Sequence, residues 1–446
     1  MQKSYHVFKE DEMKIMYDIK SGNFIEIKCA VKDYDIFYET NLKNIPEKRD
    51  SFACEGKRLG RISFVTTECC NLSCKYCFAE SGTYHSTERK VMSVDTMKKS
   101  FEYVCSKYEN GVNLVHFFGG EPMLGYESIR EFIMWCNRYC KENGIVAPNY
   151  SIVTNGTIMN ENMFDFLNAY KVNLVVSIDG TKELNDYARV SNTFKSVYDK
   201  IYENFKNLPV ERNFKIGCEI TLNHIHILKF KKGIVREWLD ELCSIGFNYA
   251  TIGVAETPVQ ECHISADEKE ILQSIEKEII DYFFQRYRSS NDFISVEIMS
   301  LIRQMAQKGK SLTCGAGYHS ISVMPDGKIL PCYQFYHDDN FVMGDINGGN
   351  SECFEEIREL FKKDYRADIK ECRDCWLRNQ CTVHCKGFSY NSTGKLDSIA
   401  KTRCWLVEAA MQRLMFNILK LKKEKEEYNN FVINLYALNK EYSYNK

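Results

Sequence analysis

Residues 67–80 read TECCNLSCKYCFAE, and within them Cys70, Cys74 and Cys77 are spaced C-x3-C-x2-C. The preceding run, residues 61–66, predicts a short buried strand, so the three thiols follow a strand end, where an α/β sheet places its reactive groups. Three thiolates can hold three irons of a 4Fe–4S cube and leave the fourth iron open, whereas cysteine-only clusters normally use four thiolates. An open iron indicates a site for a ligand. A zinc site or buried core cysteines are the alternatives.

The composition is ordinary for a globular protein except for its cysteines. The chain has 446 residues, which suggests about two or three domains, and it is 44% hydrophobic and 27% charged. The net charge of -2 gives no reason to expect nucleic acid or an anionic membrane as a partner, and no apolar run approaches the ~18 residues of a membrane span. Twenty cysteines without a secretion signal indicate metal binding in the cytoplasm rather than a disulfide framework.

Residues 60–260 alternate between predicted strands and helices. The strands are predicted at 61–66, 113–118, 149–153, 172–178, 214–221 and 249–254, and the helices at 94–108, 126–142, 160–170, 193–208 and 230–245. Repeated βα units require a parallel sheet with right-handed crossovers. Six units fit a partial (β/α)6 barrel, and a doubly wound sheet fits the pattern equally well. Two more helices are predicted at 266–288 and 297–308.

Short polar or glycine-rich motifs follow three successive strands of this pattern. They are Gly119-Gly120-Glu121-Pro122, Thr154-Asn155-Gly156 and Ser177-Ile178-Asp179-Gly180. Strand ends of a parallel barrel converge on one mouth, and paired glycines let the backbone approach a ligand closely. Asn155 and Asp179 are equally explained as turn residues. Glu219, on the fifth strand, points into the barrel or outward depending on register.

A second group of cysteines lies in the last third of the chain. Its members are Cys314, Cys332, Cys372, Cys375, Cys381, Cys385 and Cys404, and Pro325-Asp326-Gly327 predicts a hairpin turn between the first two. A zinc ribbon needs only four cysteines, so the surplus argues against zinc. The cysteines within predicted helices and strands, namely Cys105, Cys136, Cys140, Cys218 and Cys243, are predicted to be small core residues, and Cys69 a bystander.

The C-x3-C-x2-C motif with Tyr76 before its third cysteine resembles the radical S-adenosylmethionine (SAM) enzymes, and the second cysteine group resembles their SPASM extension. The resemblance covers about residues 60–410. It implies an α/β fold, with a partial (β/α)6 radical SAM barrel, a C-terminal cysteine-rich SPASM domain and a small N-terminal α+β segment. The boundaries it suggests are 1–57 for the N-terminal hairpin and helix, 58–262 for the barrel, 263–310 for a helical bridge, 311–410 for the SPASM domain and 411–446 for a C-terminal helix and tail.

The same resemblance implies SAM and three 4Fe–4S clusters as cofactors. Cys70, Cys74 and Cys77 would hold the cluster whose open iron binds SAM. The residues implied to contact SAM are Tyr76, Gly119, Gly120, Glu121, Asn155, Ser177, Asp179 and Arg189, while Asn185 stands where the family often has histidine. Cys372, Cys375, Cys381 and Cys404 would hold one auxiliary cluster completely. Cys314, Cys332 and Cys385 would hold the other, with Cys353, His319 or a substrate thiolate as its fourth ligand.

Both chain ends carry short predicted elements. Strands at 13–20 and 23–27 are joined by Ser21-Gly22 as a two-residue turn, and a helix is predicted at 30–38. This start resembles the module that docks a leader peptide onto a sheet edge, although it is shorter than the full module. A simple cap on the barrel is the alternative. At the other end, a helix is predicted at 407–425, and the last twenty residues are predicted to be frayed.

The resemblance implies that one electron from the cluster cleaves SAM and that the resulting 5′-deoxyadenosyl radical abstracts a substrate hydrogen. Residues 77–84 and 177–189 look like maturases that cross-link cysteines of ribosomal precursor peptides through thioethers. The implied partners are that peptide and a one-electron reductant such as ferredoxin or flavodoxin, with no nucleic acid and no membrane.

Three alternatives stay open. The first is an anaerobic sulfatase-maturating enzyme, and the second is another SPASM peptide modification such as C–C bond formation. The third is a non-enzymatic iron–sulfur electron carrier or redox sensor, which has no use for a SAM pocket. No general base stands out in the sequence.

Overall fold

The computed structural model describes residues 3–28, 30–43, 57–85, 87–209, 211–289, 293–306, 314–348, 353–381 and 384–442. The N-terminal part is a three-stranded antiparallel sheet, β1 (Tyr5–Glu10), β2 (Met13–Asp18) and β3 (Phe24–Glu26), followed by α1 (Tyr34–Asn41). Strand β1 is absent from the sequence prediction. Helix α1 begins later than predicted because the side chain of Asp33 accepts hydrogen bonds from the first free amides of the helix.

The predicted two-residue turn between β2 and β3 is wrong. β2 ends at Asp18 and β3 begins at Phe24, so residues 19–23 form the connection, which is closed by a 2.8 Å hydrogen bond from the amide of Asp18 to the carbonyl of Asn23. The carboxylate of Asp18 also accepts the amide of Ser21 at 3.1 Å. A local side-chain acceptor therefore shapes a wider loop than the Ser-Gly pair suggests.

A ten-stranded sheet forms the body of the molecule. Its strands are β4 (Leu59–Val65), β5 (Val112–Phe118), β6 (Asn149–Thr154), β7 (Val172–Ser177), β8 (Ile216–Leu222), β9 (Tyr249–Val254), β10 (Ile294–Ser295), β11 (Ser320–Val323), β12 (Lys328–Leu330) and β13 (Gly344–Asp345). Strands β4 to β9 pair in sequence order and are all parallel, so the predicted six-strand parallel arrangement is confirmed. Strand β10 adds to β9 in parallel.

The remaining helices flank this sheet or follow it. They are α2 (Val94–Lys107), α3 (Tyr126–Glu142), α4 (Glu161–Tyr170), α5 (Lys182–Ala188), α6 (Val197–Phe205), α7 (His224–Lys229), α8 (Ile234–Ile245), α9 (Lys269–Arg288), α10 (Val296–Ala306), α11 (Cys353–Lys362), α12 (Lys370–Asp374), α13 (Lys386–Thr393), α14 (Lys401–Leu421) and α15 (Lys425–Tyr442). Within the described residues, no helix combines the length and the apolar character needed to span a membrane.

Several helix predictions need correction. The helix predicted at 193–208 begins only at Val197, because the hydroxyl of Ser196 accepts the amide of Asp199, and α5 precedes it. The helix predicted at 230–245 begins only at Ile234, directly after Gly233 with its φ of +90°, and the separate helix α7 ends before residue 230. Residues 427–442 of the predicted frayed tail belong to the helix α15, in which Phe431 is buried and packs on Phe284 of α9 with the ring centres 4.7 Å apart, and residues 443–446 lie outside the described residues.

The C-terminal cysteine-rich region joins the same sheet. Strand β11 pairs in parallel with β4, and β12 and β13 continue antiparallel beyond it. Ser320 to Val323 lie opposite Arg61 to Phe64. The hairpin predicted at Pro325-Asp326-Gly327 connects β11 to β12. The sheet therefore runs without a break across the boundary suggested near residue 311, which itself stays a prediction.

Strand register separates a helix-facing side of the sheet from its interior. Phe64 of β4 and Phe117 of β5 pack on Phe132 of α3, so their neighbours of opposite parity face inward. Following the pairs across the strands puts Ser177 and Glu219 on this inner face. The register thereby settles the direction that the sequence left undecided for Glu219.

Candidate active site

The cluster loop, residues 66–80 after β4, is held by the Gly119–Glu121 turn after β5. The amide of Gly120 donates to the carbonyl of Thr67 at 2.9 Å, and the amide of Glu121 donates to that of Cys69 at 2.7 Å. A Cβ atom on Gly120 would overlap the Cys69 carbonyl, and one on Gly119 would lie 2.7 Å from the Thr67 oxygen. The two glycines are thus needed for a backbone-to-backbone contact that fixes the three cysteines.

Glu121 is completely buried and bonded within the protein. Its carboxylate accepts hydrogen bonds from the amide of Met123 at 2.9 Å, the hydroxyl of Thr154 at 2.7 Å and the amide of Asn155 at 2.6 Å. Burial raises the pKa of Glu121 to about 7, although these donors act in the opposite direction. The carboxylate therefore ties the end of β5 to the end of β6.

Asn155 lies beside the first of the three cysteines. Its side-chain amide donates to the oxygen of Asn71 at 2.8 Å and lies 3.8 Å from the sulfur of Cys70. The amide of Leu72 is 3.4 Å from the same sulfur. Burial raises the pKa of Cys70 to about 11, so the free thiol is protonated and metal binding would displace its proton.

Tyr76 of the cluster loop forms a triad with the buried residues Asp179 and Arg189. The phenol of Tyr76 donates to Asp179 Oδ2 at 2.6 Å, and Arg189 Nη2 donates to Asp179 Oδ1 at 3.1 Å. The guanidinium also lies over the Tyr76 ring, 5.5 Å from its centre. Arg189 acts electrostatically on Cys74. The triad joins the cluster loop to the ends of β7 and α5.

Two other sequence-predicted positions adjoin this triad. Asn185 is fully buried, and its side-chain oxygen accepts the amide of Asp179 at 3.2 Å, so it supports the turn. Ser177 ends β7 with a half-buried side chain on the inner face. The amide of Thr221, a contact that the sequence does not announce, donates to Asp179 Oδ1 at 3.0 Å.

The described residues fit the binding of SAM beside a cluster. Arg189 is 7% exposed, and its Nε has no hydrogen-bond partner in the described part of the chain. Ser63 Oγ and Arg61 Nε, on the interior side of β4, are buried and equally unpartnered among the described residues. Buried unpaired donors are rare and mark places where a ligand completes the hydrogen bonding.

The later cysteines fall into two electrostatically interacting groups. Cys404 interacts with Cys381, Cys372 and Cys375, and Cys332 interacts with Cys385 and Cys314. No group of three or more His, Cys, Asp or Glu side chains in the described residues converges closely enough to hold one metal ion. Each thiolate of a 4Fe–4S cube binds a different iron, so convergence on one point is not required, and the chemistry of the donor sets fits clusters. The individual ligand assignments stay predictions.

The two predicted candidates for a fourth ligand occupy distinct places. His319 stacks on Tyr318 at 5.9 Å, and its carbonyl accepts the amide of Arg61 at 3.2 Å where β11 meets β4. Cys353 is half-buried at the start of α11. A cavity of about 450 Å³ lies beside this cysteine group and is lined by both Cys314 and Cys385.

The N-terminal sheet covers the group formed by Cys372, Cys375, Cys381 and Cys404. His6 stacks on Trp376 at 4.6 Å, and Tyr17 meets the same ring edge-on at 5.2 Å. The side chain of Asn379 donates to the carbonyl of Ile19 at 2.7 Å. Cys375 and Cys381 pack against this apolar contact. The sheet therefore shields one auxiliary cysteine group, while its binding of a leader peptide stays a prediction.

Comparison with known proteins identifies the domains. The family model for the radical SAM superfamily matches residues 64–211, and the SPASM model, an iron–sulfur cluster-binding domain, matches residues 314–376. The chain is a radical SAM enzyme with a SPASM domain. These domains imply SAM and iron–sulfur clusters as its cofactors. The alternative of a non-enzymatic iron–sulfur electron carrier or redox sensor, which would have no use for SAM, is therefore excluded.

Relatives of this radical SAM enzyme cover most of its length. The radical SAM cyclopropyl synthase TigE of Paramaledivibacter caminithermalis is 24% identical over 381 residues, which are 81% of this chain and 75% of the relative. A cysteine-type anaerobic sulfatase-maturating enzyme of Clostridium perfringens is 28% identical over 330 residues, 69% of this chain and 84% of the relative. The structure of anSMEcpe with bound AdoMet and Cp18Cys peptide shares the fold, with a TM-score of 0.64, 19% identity and coverage of 82% of this chain and 99% of that one.

Sequence reasoning missed several polar residues of the site. Glu276 of α9, Glu297 of α10, His384 and Arg403 line the cavity beside Cys314 and Cys385. In the sequence they are single charges within or beside helices, where a solvated surface position is the common outcome. Only the packing of α9, α10 and α14 around the sheet turns them inward.

Proposed function

We propose that this enzyme modifies a ribosomally made, cysteine-containing peptide by forming a thioether between a cysteine sulfur and a peptide carbon. The sulfatase-maturating relatives and the peptide-bound anSMEcpe structure support a peptide as the substrate. A groove of about 460 Å³ supports the same view. It is lined by Phe78 of the cluster loop, by His85 after that loop, and by Tyr336 and Phe388 of the cysteine-rich region.

The observation that carries the thioether proposal is the cavity beside the three-cysteine auxiliary group. Cys314 and Cys385 line it, and Glu276 and Glu297 line it as well. Only three cysteines are assigned to this group, so a substrate thiol entering the cavity can serve as a further ligand. A metal-bound thiol is deprotonated and held in one orientation, which suits it for C–S bond formation.

The cofactors, when bound, supply the abstraction of a hydrogen atom from the peptide and take up the electron that is left when the C–S bond forms. The protein's residues position and dry this site. The triad of Tyr76, Asp179 and Arg189 fixes the cluster loop. It also leaves the Nε of Arg189 available to the carboxylate of bound SAM. Glu219 lies between this triad and the cavity lined by Cys314 and Cys385, because the charges of Arg189 and Arg403 both act to lower its pKa. One C–H and one S–H bond are lost for each C–S bond made.

The proposal is tested by mass spectrometry of candidate precursor peptides after anaerobic incubation with SAM and a one-electron reductant such as ferredoxin or flavodoxin. A thioether removes two hydrogen atoms and protects one thiol from alkylation. The sulfatase-maturating relatives favour a second candidate, oxidation of a cysteine to formylglycine, which would appear as an aldehyde. A peptide that returns unchanged while SAM is cleaved would contradict both. We also propose that the enzyme acts in the cytoplasm, where such a reductant is supplied.

A further inference from the structure

The cavity beside Cys314 and Cys385 contains a pair of carboxyl groups from two different helices. Glu276 projects from α9 and Glu297 from α10, and the volume of about 450 Å³ holds a cysteine side chain with its adjoining backbone. Both side chains are half-buried, because they face this space. The two cysteines and Arg403 of α14 line the same cavity.

Unsatisfied polar atoms around the cavity show that it is built for a polar occupant. His384 lines it, is 7% exposed, and has no partner for its Nδ1 in the described residues. The Nε of Arg403 is buried and also unpartnered there. Such atoms are costly in a folded protein unless a ligand or water completes them.

The charges that face the carboxyl pair come from several elements. Glu297 accepts a hydrogen bond from Ser295 at 3.3 Å, is hydrogen-bonded by Thr251 of β9, and feels the charge of Glu219 of β8. Glu276 feels the charge of Glu297. Arg403, His384 and the two cysteines complete the wall. Burial raises the pKa of Glu297 to about 7 and that of Glu276 to about 8, so the pair holds about one proton near neutral pH.

We propose that the Glu276–Glu297 pair accepts the proton of the substrate thiol that enters the cavity. This inference rests on the proposed function, which supplies the thiol. In the step, the S–H bond breaks, an O–H bond forms on a carboxylate oxygen, and the electron pair stays on sulfur. No oxidant or reductant is needed. A base whose pKa lies near the operating pH is well matched to accept a proton from a thiol, whose ordinary pKa is about 8.5.

Proton release during thiol binding tests the proposal without relying on turnover. The anaerobic holoenzyme is titrated with N-acetylcysteine methylamide by calorimetry in two buffers of different ionisation enthalpy, which gives the number of protons released to buffer. With a carboxylate pair as the internal acceptor, the wild type releases few protons. Glu276→Gln and Glu297→Gln, and most strongly the double variant, release up to about one more proton for each thiol bound. Glu270→Gln, an exposed position on α9, behaves like the wild type.

The outcomes separate the inference from the function on which it rests. N-acetylserine methylamide serves as the comparison probe, because it cannot lose a thiol proton. If the cysteine probe binds selectively but the glutamine variants release as many protons as the wild type, the carboxylate pair is not the acceptor, and the proposed thiol site stands. If both probes bind equally, or neither binds, no thiol is deprotonated in the cavity and both proposals are overturned. Iron content and far-UV circular dichroism of each variant confirm that it is folded and loaded.

Discussion

The phenol of Tyr76 donates a 2.6 Å hydrogen bond to the carboxylate of Asp179, 103 residues later in the chain. Tyr76 lies between two of the three cysteines of the cluster loop, and Asp179 follows β7. The same carboxylate also accepts hydrogen bonds from Arg189 and from the amide of Thr221. This contact therefore connects the loop proposed to hold the cluster with the strand ends proposed to hold SAM.

Tyr76→Phe removes this hydrogen bond and leaves a buried carboxylate with one donor fewer. Such a loss costs about 1–3 kcal/mol, and we expect the affinity for SAM to fall by up to about 5- to 150-fold because the site is less well positioned. The measurement is equilibrium binding of SAM to the anaerobic, iron-loaded protein. Tyr436→Phe is the matched control, since Tyr436 is 74% exposed. Unchanged SAM affinity in the Tyr76 variant would refute the positioning role.

Gly120→Ala places a methyl group where the carbonyl of Cys69 lies. The cluster loop has to move away from the Gly119–Glu121 turn, so we expect the variant to retain less iron at the three-cysteine site and to lose SAM cleavage. Iron analysis and absorbance after anaerobic reconstitution measure this. Gly144→Ala is the control for backbone strain away from the cluster loop, because its φ of +66° disfavours alanine while nothing lies within 4 Å of the added methyl group. Full iron loading of Gly120→Ala would show that the close approach is not required.

Glu276 predicts a specific dependence of stability on pH. Burial raises its pKa in the folded protein from 4.5 to about 8, so the folded state binds the proton more tightly than the unfolded state does. The contribution to stability is therefore full below about pH 4.5 and is lost as the pH rises to about 8. Glu276→Gln should flatten this loss and gain about 1–3 kcal/mol relative to wild type above that pH, after allowance for solvent screening.

Anaerobic chemical denaturation over this pH range measures the effect. Glu270→Gln on the same helix is the control, because Glu270 is exposed. A constant difference between Glu276→Gln and wild type at all pH values would contradict the assigned burial of a carboxyl group in the cavity.

Trp376→Ala should loosen the N-terminal sheet from the SPASM domain. The indole contacts His6, Phe8 and Tyr17. Removing a buried tryptophan costs about 3–5 kcal/mol, and we expect iron held by the Cys372, Cys375, Cys381 and Cys404 group to be lost faster to a chelator. Trp135→Ala, on α3, is the control because Trp135 packs on Phe101 and Phe132 and not on a cysteine proposed to bind a cluster. Equal rates of iron loss in the two variants would contradict a shielding role.

The parallel core could be predicted from the sequence because its signals are local. Strands β4 to β9 carry short apolar runs, and glycine-rich turns or polar residues mark several of their ends. The pairing of β11 with β4 could not be predicted, since it joins residues more than 250 positions apart. Helix α15 was hidden among lysines and glutamates, and only contact with α9 shows that Phe431 and Leu438 form its buried face.

The site shows the same division between local and non-local signals. The spacing of Cys70, Cys74 and Cys77 and the Gly119–Glu121 motif are visible in the sequence. The sequence does not show that both carboxylate oxygens of Glu121 accept hydrogen bonds from within the protein. The face of the sheet on which Glu219 lies follows only from the pairing of β8 with β7. Glu276 and Glu297 become candidate bases only when two helices pack against the cysteine-rich domain.

The central claim is that Cys70, Cys74 and Cys77 hold the cluster at which SAM is cleaved, and formation of 5′-deoxyadenosine tests it most directly. Anaerobically reconstituted wild-type protein, given SAM and a strong reductant, should produce 5′-deoxyadenosine. The variant with Cys70→Ala, Cys74→Ala and Cys77→Ala should produce none while it keeps the iron of the SPASM cysteines. Production of 5′-deoxyadenosine by the triple variant at the wild-type rate, or reconstituted wild-type protein without iron, would contradict the account.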